Sequence, residues 1–322
     1  MAKKAVLLGE ALDAAEAYLT ERGYAVVTHA DAEVSMDEAK RLLADADGVI
    51  ARMRPLYGKE LIDAAPKLRV IARVGVGLEN VDLDYCTRKG IWVTVAPQGN
   101  VGAVAEQALA LIMDAAKKIA LMDRETRKGN FNIRHEGLTY LLEGKTLGIV
   151  GLGRIGRSLA QKAHDGLGMN VIAYDLKADP AGFPPCVKAA ASMDEVFGNA
   201  DYVSIHMAST PEDKNLIGMD SFKRMRSGAC LINCSRGLVL NEKDLHDALK
   251  SGIIAWAGLD VLHTEPFDTG NPLFTLSNVT FSPHLAGITR ESWRLICLQA
   301  AANLDEVLRG DTPSAPANDP KR

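Results

Sequence analysis

Aromatic side chains are scarce, with Phe, Trp and Tyr making up only 5% of 322 residues. So few rings supply no stacking platform of the kind that single-stranded nucleic acid needs. An excess of positive charge is missing too. Lys and Arg total 37 against 41 Asp and Glu, a formal net charge of −4 with a pI near 6.0. That balance leaves no electrostatic footprint for nucleic acid or an anionic membrane surface. Cysteine is sparse and unpatterned: Cys86, Cys186, Cys230, Cys234 and Cys297 form no C-x-x-C pair, and no His cluster sits at zinc spacing. Cys230 and Cys234 flank one apolar strand and are expected as buried thiols, and the odd count suits a reducing cytoplasm, with no metal. Long hydrophobic runs are lacking as well, and none approaches a membrane span. Residues 5–9 are too short for a secretory h-region and are followed by Glu10 and Asp13.

What remains is an ordinary globular composition, 47% hydrophobic and 24% charged. The length suggests two domains. Short apolar runs alternate with helical patterns from the start. Strands are expected at residues 5–9, 24–29, 48–52, 69–74 and 91–95, with helices at 11–22, 36–44, 58–64 and 82–89. Such alternation predicts a parallel sheet covered on both faces. Residues 101–128 then read as one long helical segment, too apolar all round for a surface helix, and so expected at a domain or subunit interface. Residues 130–142 read as an irregular arm.

A second series begins at Thr146. Its strands are expected at 146–150, 170–174, 202–206, 229–234, 256–261 and 279–282, its helices near 155–165, 193–197, 219–225 and 242–250. The fold class is therefore α/β, with two doubly wound parallel-sheet domains. A last helix, 289–308, is expected to return to the first domain and make it discontinuous. Residues 311–322 carry three prolines and read as a loose tail.

The second series opens with the run Thr146–Val150 and three glycines, Gly151, Gly153 and Gly156, spaced G-x-G-x-x-G. A helical stretch and a second apolar run follow, ending on Asp175. Each part suits a dinucleotide: Gly151 for the tight turn, Gly153 for approach of the pyrophosphate, Gly156 for close helix–strand packing. The helix start offers its N–H groups to the phosphates. Asp175 can accept the ribose hydroxyls and would repel a 2′-phosphate, which favours NAD over NADP.

Three polar residues interrupt strand ends in this domain, where an open parallel sheet collects its ligands. Arg236 follows Ile232-Asn233-Cys234-Ser235, Glu265 precedes Pro266, and His284 stands in Ser282-Pro283-His284-Leu285-Ala286-Gly287. Taken singly, each has a plain alternative: a surface salt bridge, a solvated carboxylate, a satisfied buried histidine. Together they match the reduction of a 2-oxo acid. An imidazole gives and takes a proton, a neighbouring carboxylate favours its charged form, and a guanidinium forks onto the substrate carboxylate.

At these residues the sequence resembles the D-isomer-specific 2-hydroxyacid dehydrogenase family. The likeness runs over nearly the whole chain and adds Arg73–Asp82 and Gly258–Val261 to the motifs above. It implies a discontinuous flavodoxin-like substrate domain, 1–100 plus 288–322, a Rossmann NAD-binding domain, 101–287, and a cleft that closes on ligand. It implies Arg236, Glu265 and His284 as the catalytic set. Further implied NAD contacts are Arg154, Ile155, His206, Cys234, Asp260 and Gly287, beside the glycines and Asp175. Val74, Gly75, Val76 and Gly77 are implied to hold the substrate carboxylate through backbone N–H groups. A homodimer through the long helix is implied as well. An appended regulatory domain is not expected after residue 310.

Arg52, Arg54 and Arg73 stand at or near strand ends of the first domain, and Arg134 lies in the arm. Solvated surface charge is their ordinary fate. Guanidiniums in a cleft would also suit a second anionic group on a small 2-hydroxy or 2-oxo acid. Within the family this pattern is most similar to short D-3-phosphoglycerate dehydrogenases, so 3-phosphoglycerate and 3-phosphohydroxypyruvate are the favoured substrate pair. Alternatives are hydroxypyruvate or glyoxylate reduction, or a 2-hydroxy acid bearing a phosphonate, sulfonate or second carboxylate. A remoter alternative is an NAD-sensing corepressor that binds peptides.

Overall fold

The structure, a computed structural model, describes residues 2–31 and 33–320. The chain forms two compact units, Met1–Asn100 with Ile288–Arg322, and Val101–Gly287.

In the first unit the elements run β1 (Lys4–Leu8), α1 (Asp13–Glu21), β2 (Ala25–His29), α2 (Met36–Leu43), β3 (Gly48–Ala51), α3 (Lys59–Asp63), β4 (Val70–Arg73), α4 (Leu83–Arg88) and β5 (Trp92–Thr94). All strands pair in parallel, in the order β2-β1-β3-β4-β5. This is the flavodoxin-like order. Strands β1, β3 and β4 are buried on both faces, which explains their unbroken apolar runs. Leu12, Leu19, Ile296, Ala300 and Leu304 fill one face, and Leu43, Leu61 and Cys86 fill the other. The last helix, Arg290–Arg309, belongs to this unit and starts with a reciprocal capping box between Thr289 and Ser292.

Of the tail expected at 311–322, residues 321–322 lie outside the described residues, and residues 315–318 are not loose. The Ala317 N–H donates to Val93 O at 2.8 Å, and the Val95 N–H donates to Ala315 O at 3.0 Å. Asn318 accepts the Val93 N–H at 2.7 Å and donates to Thr87 Oγ1 and Ile91 O, both at 2.9 Å. The segment covers the outer edge of β5, whose backbone groups would otherwise face solvent.

The second unit continues with α5 (Val101–Lys117), α6 (Ile119–Arg127), β6 (Thr146–Val150), α7 (Arg154–Leu167), β7 (Asn170–Tyr174), β8 (Val187–Ala189), α8 (Met193–Asn199), β9 (Tyr202–Ile205), α9 (Met219–Arg224), β10 (Cys230–Asn233), α10 (Glu242–Lys250), β11 (Trp256–Leu259) and β12 (Val279–Phe281). Its seven parallel strands run β12-β11-β10-β9-β6-β7-β8, a doubly wound order whose direction reverses between β6 and β9. Strand β8 escapes the sequence pattern because it is three residues at the sheet edge with only Val187 buried.

The helical segment 101–128 is two helices rather than one. Lys118 breaks it with a left-handed backbone, φ 55°. Its ammonium donates to Ala115 O at 2.6 Å and lies 3.9 Å from the centre of the Trp256 ring. Asp114 accepts the Ala120 N–H at 2.7 Å and so secures the start of α6. Much of the apolar surface of α5 is buried within its own unit. Val104, Ala108, Leu111, Ile112 and Ala115 pack with Leu147, Ile232 and Trp256 in the core of their own unit. The exposed apolar side chains come afterwards, at Ile119, Phe131, Tyr140 and Leu141. Among the described residues no helix is long and apolar enough to cross a membrane.

Candidate active site

The polar residues of interest in the second unit lie just past the carboxyl ends of its parallel strands: 151–153 after β6, Asp175 after β7, His206 after β9, 234–236 after β10, 260–265 after β11 and His284 after β12. The glycine loop is built for close approach. Gly151 has φ +95°, and a Cβ there would lie 2.5 Å from Met207 N. A Cβ on Gly156 would lie 2.4 Å from Gly151 O, so α7 can press on the loop only with glycine at that position. Over Gly153, by contrast, a Cβ would meet nothing within 4 Å. This exposed residue caps α7 without a side chain, which leaves the N–H groups at Arg154 and Ile155 beside open space. That arrangement fits a pyrophosphate at a helix start.

Asp175 is bound into the same loop. Its carboxylate accepts the Leu152 N–H at 2.7 Å, the Lys177 N–H at 2.8 Å and the Ala178 N–H at 3.0 Å. A carboxylate has about four acceptor positions, so room for a ribose hydroxyl remains. His206 is half-buried, and its Nε2 meets Ser204 Oγ at 2.8 Å. Burial pulls its pKa down to about 4, so the ring is neutral near pH 7. Its Nδ1 is buried without a partner. The Cys234 thiol is buried as well, and burial pushes its pKa well up, which makes it an inert packing group.

Glu265 and His284 meet. Glu265 Oε2 lies 2.5 Å from His284 Nδ1, although 19 residues separate them in the chain. The Nδ1 proton faces the carboxylate, which leaves Nε2 as the nitrogen that can exchange a proton with a ligand. The hydrogen bond to Glu265 raises the His284 pKa. Burial and the Arg236 charge oppose the rise, and Asp260 supports it. The imidazole side chain is 43% exposed, enough for access from outside. Arg236 thus stands near enough for its charge to act on His284, and its Nη1 donates to Ser235 O at 2.9 Å.

His284 also has a left-handed backbone, φ 51°. Such a conformation is uncommon for a residue with a side chain and persists only where the surroundings impose it. Here Asp260 does so. Its carbonyl accepts the His284 N–H at 2.8 Å, while its buried carboxylate accepts the N–H groups of Leu285 and Ala286 at 3.1 Å and the Ser282 hydroxyl at 2.5 Å. Gln107, from α5, donates to the same hydroxyl at 3.1 Å. Asn233 shapes the Arg236 turn in the same manner, accepting from Ser235 N at 3.0 Å and donating to Arg236 O at 2.9 Å. Sequence reasoning passes over Gln107, Asn233 and Ser282 as side chains that hold this site. The one available signal is a glutamine within a largely apolar helix.

In the first unit the arginines separate. Arg73 is only 1% exposed and is spent on the protein itself. It donates to Gly77 O at 2.9 Å and Ala51 O at 2.8 Å and reaches Met53 Sδ at 3.3 Å. The expectation that Arg73 contacts substrate is therefore corrected: a guanidinium buried on carbonyls holds the 73–77 turn in shape. Arg52, 28% exposed, stands 4.8 Å from the centre of the Trp293 ring and 3.4 Å from Glu10 Oε1. Arg54 is exposed. Val74 is nearly buried, and Gly75 has φ +117° in the turn that Arg73 supports. In the arm, Arg134 lies 4.1 Å from the centre of the Phe131 ring.

Comparison with known proteins agrees with this geometry. Residues 109–286 match the family described as D-isomer specific 2-hydroxyacid dehydrogenase, NAD binding domain. The chain is 35% identical over 306 residues to a glyoxylate reductase of Korarchaeum cryptofilum (strain OPF8), covering 92% of each chain. It is 40% identical over 277 residues to a D-3-phosphoglycerate dehydrogenase of Mycobacterium leprae (strain TN), and the match takes in 85% of this chain but only 52% of that protein. Among solved structures, the TT0316 protein from Thermus thermophilus superposes with a TM-score of 0.88 at 33% identity, over 98% of this chain and 100% of that one. The glycine loop, the strand-end polar residues and these likenesses lead to one conclusion: the chain belongs to the D-isomer-specific 2-hydroxyacid dehydrogenase family, whose NAD-binding domain it carries.

Proposed function

We propose that this chain interconverts a small D-2-hydroxy acid and its 2-oxo acid, with Arg236, Glu265 and His284 as the catalytic set. The 2.5 Å contact between Glu265 and His284 is the observation that carries the reading. In reduction, the His284 imidazolium gives the Nε2 proton to the carbonyl oxygen of the substrate. Glu265 holds the ring by Nδ1 and keeps the charged form available, as the raised pKa of His284 requires. Arg236 forks onto the substrate carboxylate and fixes the carbonyl for reaction. A nicotinamide cofactor held in this unit would supply the hydride as NADH in this direction and accept it as NAD+ in the other. Gly151, Gly153, Arg154, Ile155, Gly156 and Asp175 would hold its phosphates and ribose, with His206, Cys234, Asp260 and Gly287 as further contacts.

The favoured substrate pair is 3-phosphoglycerate and 3-phosphohydroxypyruvate. Support comes from the 40% identical phosphoglycerate dehydrogenase and from Arg52 and Arg54 beyond β3, with the 74–77 turn beside them after β4. A second reading, glyoxylate or hydroxypyruvate reduction, is favoured by the relative that matches over 92% of both chains, and by Glu10, which already offsets part of the Arg52 charge. The test is a kcat/KM panel of phosphohydroxypyruvate, hydroxypyruvate, glyoxylate, pyruvate and oxaloacetate with NADH and NADPH. A preference for phosphohydroxypyruvate supports the first reading. Equal or better use of glyoxylate supports the second, and silence across the panel removes the catalytic reading.

We further propose a cytoplasmic homodimer. Five free cysteines suit a reducing compartment. The exposed Ile119, Phe131, Tyr140 and Leu141 offer apolar surface for a second copy. Sedimentation at micromolar concentration decides this, since a monomer there would overturn it.

A further inference from the structure

A single carboxylate outside the candidate catalytic set fastens both ends of the loop that carries Glu265. Glu242 is the first residue of α10. Its Oε1 accepts the His263 N–H at 2.6 Å, and its Oε2 accepts the Asn271 side-chain amide at 2.8 Å. His263 precedes Glu265 by two residues and Asn271 follows it by six. Between those two points, residues 264–266 and 268–270 are exposed. A loop with so much exposed backbone opens readily unless it is tied.

The fastening is part of a wider join between the loops after β10 and β11. His263 Nε2 donates to Leu240 O at 2.6 Å. A Cβ on Gly237 would lie 2.1 Å from Leu262 C, so the chain just after Arg236 rests directly on the chain just before Glu265. Glu265 itself makes one further contact with its own loop, accepting the Leu262 N–H at 3.3 Å. A carboxylate suits the position, because a helix start favours negative charge.

We propose that Glu242 is a positioning residue for proton transfer: by holding His263 and Asn271 it keeps the Glu265 carboxylate in register with His284. The inference rests on the reading of His284 as the proton-transfer group. Three charged groups face that imidazole: Glu265 from the loop after β11, Asp260 from the end of β11 and Arg236 from the loop after β10. Of these, only Glu265 sits in the segment that Glu242 holds. Loosening the segment withdraws one negative neighbour and leaves Arg236 in place, so the imidazolium loses support.

The test reads His284 directly by carbon-edited NMR titration of the histidine rings, with the His284 signal identified by its loss in H284N. Wild type is compared with E265Q, E242A and E242Q. In E265Q the midpoint should fall by about one pH unit or more, the scale of a lost carboxylate partner. E242A should give at least half of that fall. E242Q keeps an acceptor for His263 but turns an amide donor towards the Asn271 donor, and should give about a third. In the pH profile of 2-oxo acid reduction, the upper limb should move down in parallel, with kcat lowered more than KM is raised. A folded E242A whose His284 titrates as in wild type would overturn the proposal. Should E242A fail to fold, E242Q decides by the same criterion. A wild-type enzyme that reduces no 2-oxo acid would instead remove the catalytic reading and leave the titration result standing.

Discussion

Both units gather polar residues past the carboxyl ends of a parallel sheet, yet they handle charge in different ways. In the second unit the side chains are held in place for something outside the protein. Asp260 bends the His284 backbone, Glu265 grips its ring and Asn233 shapes the Arg236 turn. The His284 ring is held at Nδ1, so that Nε2 is the nitrogen turned to a ligand. In the first unit the strand-end arginines are partly consumed. Arg73 is sunk on two carbonyls, and Arg52 is shared between Trp293 and Glu10. One architecture thus presents a carboxylate–imidazole pair at the end of one sheet and a softened positive patch at the end of the other. What separates them is the identity of the partners that surround each strand end.

The sharpest way to break the comparison is at His284. H284A should lower turnover by roughly 10²- to 10⁴-fold, the usual worth of a positioned acid–base group, while cofactor affinity measured by nucleotide fluorescence stays near wild type. A variant with most of its rate would place the chemistry elsewhere. Next in size is Arg73. R73A takes a donor from the Gly77 and Ala51 carbonyls and leaves a cavity where the buried side chain lay, and should cost roughly 3 kcal/mol of stability in a denaturant titration. A neutral result would mean that the first sheet does not need its buried charge.

E265Q comes third. Because Glu265 raises the His284 pKa, reduction, which uses the imidazolium, is fastest below that pKa and declines as pH rises through it. Oxidation uses the neutral ring and gains over the same interval. Losing the carboxylate moves both limbs to lower pH, so reduction at pH 8 should fall by about tenfold or more, with a smaller loss at pH 6. Unmoved limbs in the two pH profiles would detach Glu265 from the titration. The smallest effect is expected at Arg52. R52A should raise KM for phosphohydroxypyruvate by several-fold and KM for hydroxypyruvate by less, on the order of what a partly exposed charge contributes. Equal changes in the two KM values would remove the phosphate reading.

Much of the scaffold is legible in the amino-acid order because buried parallel strands leave unbroken apolar runs closed by glycine or a polar residue. β6, β7 and the Gly151 loop are written this way. Elements held by a single distant contact are not. The break at Lys118 falls on the second of two adjacent lysines that read as helix, and that lysine lies against Trp256, 138 residues further on. The C-terminal segment reads as loose because of its prolines, whereas Asn318 and the backbone of β5 order it. In the candidate site, Arg236, Glu265 and His284 stand out as polar interruptions at strand ends. Gln107 and Glu242 look like routine helix residues, because their importance lies wholly in what the folded chain sets opposite them. Arg73 misleads for the opposite reason: a strand-end arginine looks available until its burial is known.

The segment that closes over β5 bears on how the protein can be handled. Cutting the chain back before Ala315 would strip the hydrogen bonds from the outer margin of β5 and leave a bare ribbon in water. Such a margin recruits any extended peptide that meets it, including the same strand of a neighbouring molecule. Shortened versions should therefore cloud on storage before they lose their fold, and a purification tag is better placed ahead of Lys4 than grafted close behind Asn318.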